Sequence, residues 1–299
     1  ISSSPAGTVD NELTGAAGIK ADTAFAIEGG ELEIKVSGTG AKGISCDGDG
    51  HFNAGIVRVT ATGSNYGNSG NQRPGWGGGS SSTNSKSAKG IKFEGNLFFD
   101  EADVTASASA HEAIEAKGTI SISAGKVSAN SSDDAINSGS DMTISGGEVY
   151  AISSGNDGLD ANGNMYVKGG YVYAVGSGSP EVALDANTEG GYRLYLSGGE
   201  LVAFGGIESG SSISQSVIYV TNWTANASYS LYDGDKLLLE FTAPSKGGNG
   251  IVISHPDLVS GYSYTLKSGS SSSSVTASLN SQGGGGFPGG GHGGPGGWH

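Results

Sequence analysis

Residues 133–160 read DDAINSGSDMTISGGEVYAISSGNDGLD, and they contain one complete unit of an internal repeat together with the start of the next unit. The unit begins with an acidic turn and a short apolar segment at 135–136. An alternating segment at 142–144, a glycine corner at 146–147 and a third segment at 149–151 follow, and the acidic turn then returns as NDGLD. Short apolar segments bounded by Gly, Asn, Asp and Ser are typical of β-strands. The unit therefore predicts three short strands.

The same unit recurs along the first two thirds of the chain. Its first apolar residue occurs seven times, at Ile19, Ile44, Ile91, Ile114, Ile136, Leu159 and Leu184. Successive copies lie 22 to 25 residues apart, except for one interval of 47 residues that contains a Gly/Ser-rich insertion at 64–87. A fixed period of this length with strand-like content is typical of a solenoid, in which each turn buries its apolar face against its neighbours. We therefore predict an all-β parallel β-helix with about seven recognisable coils of 22–25 residues.

The repeat also divides the chain into regions. It accounts for residues 1–206, and the period is lost after Phe204. Longer strand-like segments at 207–267 predict a C-terminal β cap over the open end of the coil, built either as irregular rungs or as a small antiparallel sheet. Residues 268–299 are Ser-rich and then Gly-rich, which predicts a flexible tail. The 56 glycines show no Gly-X-Y period, so the chain is not collagen-like.

Charge and hydropathy narrow the class of partner. The net charge is −14, and nucleic acid is disfavoured because phosphate binding needs clusters of Lys and Arg. No apolar run is long enough to span a membrane. The opening ISSSPAG is typical of a polar linker left after a leader or lipid-anchored segment is removed. If such a segment was removed, the protein is either secreted or held at the cell surface by a lipid, and we expect a monomer.

Acidic residues concentrate on one repeat position. Between His111 and Asp185 there are ten acids and three bases. Equivalent positions of successive coils lie about 4.8 Å apart, so these acids stack on one another and repel unless a cation lies between them. Calcium prefers six to eight oxygen ligands, and rows of Asp, Asn and Glu on adjacent coils can supply them. We expect these ligands to be divided between two or more Ca²⁺ ions. The predicted ligands are Glu112, Glu115, Asp133, Asp134, Asn137, Asp157, Asp160 and Asp185. The alternative is that Asp and Asn stand there because they favour turns and solvated faces.

The repeat as a set resembles a known family. The elements DDAIN, NDGLD, TISGGEVYA and YVKGGYVYAVGSG resemble the bacterial carbohydrate-binding β-helix family, over about Gly18 to Gly206. The resemblance implies a right-handed parallel β-helix, bound calcium, export, and affinity for polysaccharides such as cellulose and polygalacturonate. It does not imply which glycan is bound.

That family is in turn similar to calcium-dependent pectate lyases of the family-nine type. Their calcium turn reads D-D-G-F-D, and residues 133–137 and 156–160 each match it with one ligand position changed to Asn. In those lyases a Lys on the next coil removes the proton next to the uronate carboxylate. Asp185 stands at that position here, and Lys117 is the one nearby substitute. This departure favours binding over lysis, and Lys117 is then simply a solvated charge at a strand end.

Sugar contacts need exposed aromatic or cationic groups. Tyr150, Tyr171 and Tyr173 recur on consecutive coils, and the insertion offers Arg73 and Trp76. Aromatic rings stack on sugar faces, although rows of Tyr also serve as structural ladders. The sequence therefore predicts a non-catalytic, calcium-binding protein for polysaccharides such as cellulose or polygalacturonate. The alternatives are a calcium-dependent pectate lyase and a structural or adhesive surface protein.

Overall fold

The computed structural model describes residues 7–9, 12–67 and 86–280. Two of the predicted glycan contacts, Arg73 and Trp76, lie outside the described residues. Within the described part of the chain, no helix is long and apolar enough to cross a membrane. The only helical element there is a 3₁₀ turn at Thr188–Gly190.

The described residues form 26 strands. In chain order, those of the solenoid region are β1 (Gly7–Val9), β2 (Glu12–Thr14), β3 (Ala17–Ala21), β4 (Ala24–Val36), β5 (Lys42–Cys46), β6 (Asp49–Ala61), β7 (Lys89–Phe93), β8 (Leu97–Phe99), β9 (Asp103–Ala108), β10 (Ile114–Ala116), β11 (Ile120–Ile122), β12 (Lys126–Ser131), β13 (Ile136–Ser138), β14 (Met142–Ile144), β15 (Glu148–Ser153), β16 (Leu159–Ala161), β17 (Met165–Val175), β18 (Leu184–Ala186), β19 (Leu194–Phe204) and β20 (Ser212–Ile213). The strands after them are β21 (Val217–Val220), β22 (Ser228–Asp233), β23 (Lys236–Thr242), β24 (Ile251–Ser254), β25 (Ser263–Ser268) and β26 (Ser271–Thr276).

The first strands of the repeat form one parallel sheet, which we call the first-strand face. Its order is β3, β5, β7, β10, β13, β16, β18. The seven apolar residues used to align the repeat are paired directly in this sheet, for example Ile114 with Ile136 and Leu159 with Leu184. The all-β class and the parallel solenoid of about seven turns are therefore confirmed.

The second and third strands of the repeat form two further faces. We call them the second-strand face, which contains β8, β11 and β14, and the third-strand face, which contains β9, β12 and β15. The long strands β4, β6, β17 and β19 pass through both faces and join them. The glycine corner lies between the two faces. Gly147 there has φ +74°, and a Cβ would lie 2.7 Å from the carbonyl carbon of Ala124, so a side chain has no room.

The solenoid core is one continuous column of small and branched apolar side chains. Each turn contributes residues from all three faces, such as Ile136, Ile144 and Val149, and each of these is 0% exposed. Burying side chains of this size contributes roughly 1.5–3 kcal/mol each. One turn alone has nothing to bury them against, so the turns stabilise one another.

The parallel pairing extends beyond the predicted boundary at residue 206. Ile207 bridges to Leu184, and β20 pairs in parallel with β19, so a partial eighth turn follows the seventh. Strands β24 and β21 then continue the third-strand face in antiparallel order. Their residues Val217 and Val252 join the solenoid core at this end.

The remaining cap strands form an antiparallel sheet in the order β23, β22, β25, β26. This sheet packs against the outer side of the third-strand face, whereas the sequence predicted a cover over the open end. The last turns have outward apolar side chains such as Val175 and Phe204, which pack with Leu231 and Phe241 of the sheet. Strand β26 lies in the segment that the sequence predicted as a flexible tail. For residues 271–276 that prediction is wrong, because their Ser run pairs with β25.

Candidate functional site

The strand register places the acidic residues in a row along the first-strand face. Asn137 pairs with Asp160, and Asp160 pairs with Asp185, on three consecutive turns. Asp134 and Asp157 occupy the turns that precede two of these strands. The structure therefore brings the predicted ligand residues into one continuous row.

Lysine neutralises the N-terminal end of this row. The Nζ atom of Lys89 lies 2.8 Å from Glu112 Oε2 and 2.5 Å from Glu115 Oε2. All three side chains are less than a tenth exposed. Burial alone would raise the pKa of Glu115, but the charge of Lys89 together with hydrogen bonds from Lys117 and Lys89 holds that pKa below its ordinary value. Glu112 and Glu115, which the sequence predicts as metal ligands, are thus paired with a lysine.

His111 forms a second link between acids. Its Nδ1 atom contacts Glu112 and lies 3.0 Å from Asp133 Oδ2. Among the described residues, these three form one group whose potential metal-ligand atoms all lie within 4.8 Å of one another. Burial would lower the pKa of His111, but hydrogen bonds with Asp133 and Glu112 raise it to about 9. At neutral pH the imidazole is therefore a cation, and His111 and Lys89 together supply positive charge to Glu112 and Asp133 without a metal.

The C-terminal end of the row has no such balance. Within the described part of the chain, Asp134, Asp157, Asp160 and Asp185 form no ion pair with a Lys, Arg or His. Burial raises the pKa of Asp157 to about 8, with Glu181 and Asp160 adding to the effect. Burial and neighbouring carboxylates likewise raise the pKa of Asp134, Asp160 and Asp185. We call these four residues the unpaired aspartates.

Hydrogen bonds fix the orientation of three of the unpaired aspartates, Asp134, Asp157 and Asp160. Asp134 Oδ1 accepts from the backbone N–H of Asp157 at 3.1 Å, and Asp157 Oδ1 accepts from that of Val182 at 2.5 Å. Asn137 Nδ2 donates to Asp160 Oδ2 at 2.5 Å. The carboxylates therefore stay aimed along the row although like charges face them.

Two acids that the sequence reasoning missed extend the row. Glu181 contacts the carboxyl group of Asp157, and Glu208 contacts that of Asp185. Glu208 follows Ile207, which bridges to Leu184 and marks the eighth turn. The signal was present as Gly206-Ile207-Glu208, because it repeats the Gly-Ile pattern 23 residues after Leu184.

The donor set at this end fits a hard cation. Two carboxyl groups in hydrogen-bonding contact need either a shared proton or a cation between them, and such contacts occur at Asp157 with Glu181 and at Asp185 with Glu208. The available donors are carboxylate and amide oxygens, which suit Ca²⁺. The unpaired aspartates, together with Asn137, are therefore the part of the predicted ligand set that fits calcium best.

A group of lysines occupies the opposite end of the same face. Lys42 and Lys89 pair in the strand register, and Lys86 and Lys92 are close enough to act on Lys42. Burial and the neighbouring charges of Lys92, Lys89 and Lys86 lower the pKa of Lys42 to about 8. Among the described residues, Lys42 and Lys86 form no ion pair with a carboxylate. One face thus carries positive charge at its N-terminal end and negative charge at its C-terminal end.

Other predicted residues lie apart from the acidic row or at its margin. The side chain of Lys117 is 51% exposed, and its Nζ atom lies 2.5 Å from Glu115 Oε1. Tyr150, Tyr171 and Tyr173 lie on the third-strand face, where they form a row of neighbouring rings. Tyr173 is only 8% exposed, because the C-terminal sheet covers it, and its hydroxyl donates to Thr242 O at 2.8 Å. Tyr150 and Tyr171 are half-buried.

The fold and the row together define a parallel β-solenoid with a polar ladder of acids along one face. Residues 5–158 match the sequence model of a family described as "Carbohydrate-binding domain-containing protein". Because the match spans just over half of the 299 residues, this chain belongs to that family. No curated protein and no solved structure matches the chain significantly. The family suggests a carbohydrate partner and leaves the glycan open.

The unpaired aspartates predict an unusual pH dependence in the calcium-free protein. The pKa of Asp157 is raised from 3.8 to about 8, so the folded state holds a proton that the unfolded state releases. Its contribution to stability is present below about pH 4 and is lost as the pH rises towards 8, at up to about 1.4 kcal/mol per pH unit. The raised pKa of His111 acts in the same direction. Urea unfolding in EDTA should therefore give a lower free energy of unfolding at pH 8 than at pH 5.

Calcium should reverse this trend, because it binds the deprotonated carboxylates. The same titration in 10 mM calcium chloride is the matched comparison. A calcium-free stability that is flat or rising between pH 5 and pH 8 would contradict the assignment.

Proposed function

We propose that this protein binds polysaccharide with the help of bound calcium and does not cleave it. The observation that carries the proposal is the set of unpaired aspartates on three consecutive turns, two of them buried and two half-buried, which have no cationic partner among the described residues. Membership of a carbohydrate-binding-domain family supports the ligand class. The calcium itself rests on the resemblance and on the chemistry of the donors.

Residues at the two ends of the first-strand face would have different roles in binding. The unpaired aspartates and Asn137 would hold calcium, which supplies a fixed positive charge for a sugar hydroxyl or carboxylate when it is bound. Lys42 and Lys86 at the other end offer ammonium groups to an anionic sugar. Polygalacturonate, with one carboxylate per residue, fits this charge arrangement better than cellulose does.

A lyase is the second candidate, and the lowered pKa of Lys42 is the observation that favours it. A lysine with a pKa near 8 is suited to act as a general base. However, Lys42 lies three turns from Asp134, about 14 Å at 4.8 Å per turn. Lys89 is nearer, but its pKa is raised by Glu112 and Glu115 against the effect of burial, so it keeps its proton. The described site therefore lacks a base beside the unpaired aspartates, which favours binding.

Calcium content and binding should be measured together. Purified protein is analysed for metals, and its capture on insoluble polygalacturonate and on cellulose is compared in calcium and in EDTA, while absorbance reports unsaturated product. We expect bound calcium, capture on polygalacturonate that EDTA reduces at least tenfold, and no rise in absorbance. Capture that is unaffected by EDTA would contradict a role for calcium, and product formation would establish the lyase.

We also propose that the protein acts outside the cell as a monomer, in keeping with the expected export. Extracellular calcium modules bind with dissociation constants of about 10⁻⁴–10⁻³ M, so calcium outside the cell is sufficient. The structural or adhesive alternative would use calcium only to stiffen the solenoid. A glycan array separates the two, because an adhesive protein that recognises another protein gives no glycan signal.

A further inference from the structure

A cleft lies where the C-terminal sheet meets the third-strand face. Its volume is about 600 Å³, which falls in the range of small-ligand sites. Tyr150 and Tyr171 line one wall. Ser228, Glu240 and Thr242 line the other wall, which is formed by the antiparallel sheet. Its edge strand, β23, contributes Glu240 and Thr242.

The tyrosine wall offers aromatic surface that is held in place from below. The ring centroids of Tyr150 and Tyr171 are 5.7 Å apart, and Tyr173 lies 6.0 Å from Tyr150. The hydrogen bond from Tyr173 to Thr242 joins the floor of the cleft to the edge strand. Lys126 Nζ lies 4.7 Å from the Tyr150 centroid and covers part of that ring. Tyr171 is thus the better stacking surface, since no described cation lies over it.

The opposite wall offers hydroxyl and carboxylate groups. Glu240 accepts a hydrogen bond from Ser230 Oγ at 3.1 Å, and it forms no ion pair among the described residues. Two other carboxylates lie close to the tyrosines, Glu148 and Glu200. Glu148 lies 3.4 Å from Lys126 Nζ. Aromatic faces take the C–H side of a sugar ring, and carboxylates accept from its hydroxyls. The surplus of carboxylates disfavours a uronate, whose own charge would be repelled.

The cleft and the acidic row are separate sites. Tyr150 and Tyr171 lie on the outer side of the third-strand face, whereas the unpaired aspartates lie on the first-strand face. No residue belongs to both sets. A ligand held in the cleft therefore does not need the calcium that the acidic row would hold.

The geometry points to this cleft as a second glycan-binding site, which takes a neutral oligosaccharide and works without calcium. The inference rests on the proposed function for its ligand class and goes beyond it in the site, the charge of the ligand and the independence from metal. Tyr171 provides the stacking face, and Glu240 accepts hydrogen bonds from sugar hydroxyls.

Isothermal titration of the full chain tests the site. Neutral hexasaccharides (cellohexaose, xylohexaose and mannohexaose) and anionic trigalacturonate are the probes, each in calcium and in EDTA. We expect wild type to bind at least one neutral probe equally in both buffers. Tyr171→Ala should weaken that binding at least tenfold, because it removes the aromatic face on which the sugar ring would stack. Glu240→Gln should weaken it severalfold and should reduce the repulsion of trigalacturonate.

Tyr195→Ala is the matched control. Tyr195 stacks on Tyr166 at 5.1 Å on the second-strand face, away from the cleft, so its removal should leave neutral binding unchanged. Glu240 is exposed on an edge strand, so Glu240→Gln keeps the test valid if Tyr171→Ala unfolds. Wild type that binds no neutral probe, or a Tyr195→Ala loss equal to that of Tyr171→Ala, would overturn the inference.

The chelator separates failure of this site from failure of the calcium proposal. If EDTA abolishes neutral binding and the cleft variants leave it intact, the cleft is not the site and the calcium-dependent site accounts for all binding. If EDTA has no effect on polygalacturonate capture while the cleft variants lose neutral binding, the cleft stands and the calcium proposal fails.

Discussion

Replacing both Asp134 and Asp157 by Asn is expected to abolish the stabilisation of this protein by calcium and to raise the melting temperature of the calcium-free form. Wild type should gain about 2.7 kcal/mol per site at a calcium concentration 100 times the dissociation constant. For a domain of this size class, that corresponds to a rise of about 5–10 °C per site. The double variant lacks two of the unpaired carboxylates, so it should show little of this gain.

In EDTA, the two substitutions should change the melting temperature in the opposite direction. Burial and neighbouring acids disfavour the charged forms of Asp134 and Asp157. At pH 8 the calcium-free fold must therefore either take up protons that the unfolded chain has released or keep the disfavoured charges, and both destabilise it. An amide has nearly the same shape and no charge, and it still accepts from the backbone N–H groups of Asp157 and Val182. The variant should therefore melt above wild type in EDTA and below it in calcium.

Asp141→Asn is the matched control for this experiment. Asp141 also accepts a backbone hydrogen bond across turns, from the N–H of Asn164 at 2.8 Å, but it lies outside the acidic row. Its variant should keep the full calcium response in differential scanning calorimetry. Identical melting of wild type and the double variant, with and without calcium, would remove the unpaired aspartates as a metal site.

The fold and the acidic row were predictable because both follow from the repeat. In a parallel solenoid, residues at the same repeat position become neighbours whatever the intervening turn contains, so aligning Ile136 with Leu159 also aligns Asn137 with Asp160. The alternating apolar and polar residues of the strands and the glycine corner are local features that can be read directly from the sequence. The insertion changed one interval but left the register of Lys42 and Lys89 intact.

What the sequence did not reveal depends on side-chain reach and on packing between distant segments. Lys89 and Glu112 were recognisable as neighbours, but the contact of one lysine with both Glu112 and Glu115 depends on how a flexible side chain bends. The cover over Tyr173 comes from Thr242, far along the chain, and no repeat connects the two. The cleft is for the same reason invisible in the sequence.

The largest loss of stability is expected from Lys89→Met. Removing the lysine leaves Glu112 and Glu115 buried without their cation, and breaking a buried pair in this way costs about 3–5 kcal/mol. Lys117→Met is the matched control, because it removes a half-exposed lysine from the same Glu115 and should cost about 1 kcal/mol or less. Urea unfolding in EDTA at pH 7 measures both variants.

Lys89→Met also tests whether lysine at one end of the row and calcium at the other both balance the charge of the carboxylates. With Lys89 removed, Glu112 and Glu115 join Asp133 and Asp134 as a run of acids without that cation, so added calcium should restore part of the lost stability. A triple variant that adds Glu112→Gln and Glu115→Gln should regain stability in EDTA and gain nothing further from calcium at this end. If calcium rescues Lys89→Met no better than it stabilises wild type, then Lys89 acts only through packing. In that case the row is not one set of carboxylates whose charge is balanced by lysine at its N-terminal end and by calcium at its C-terminal end.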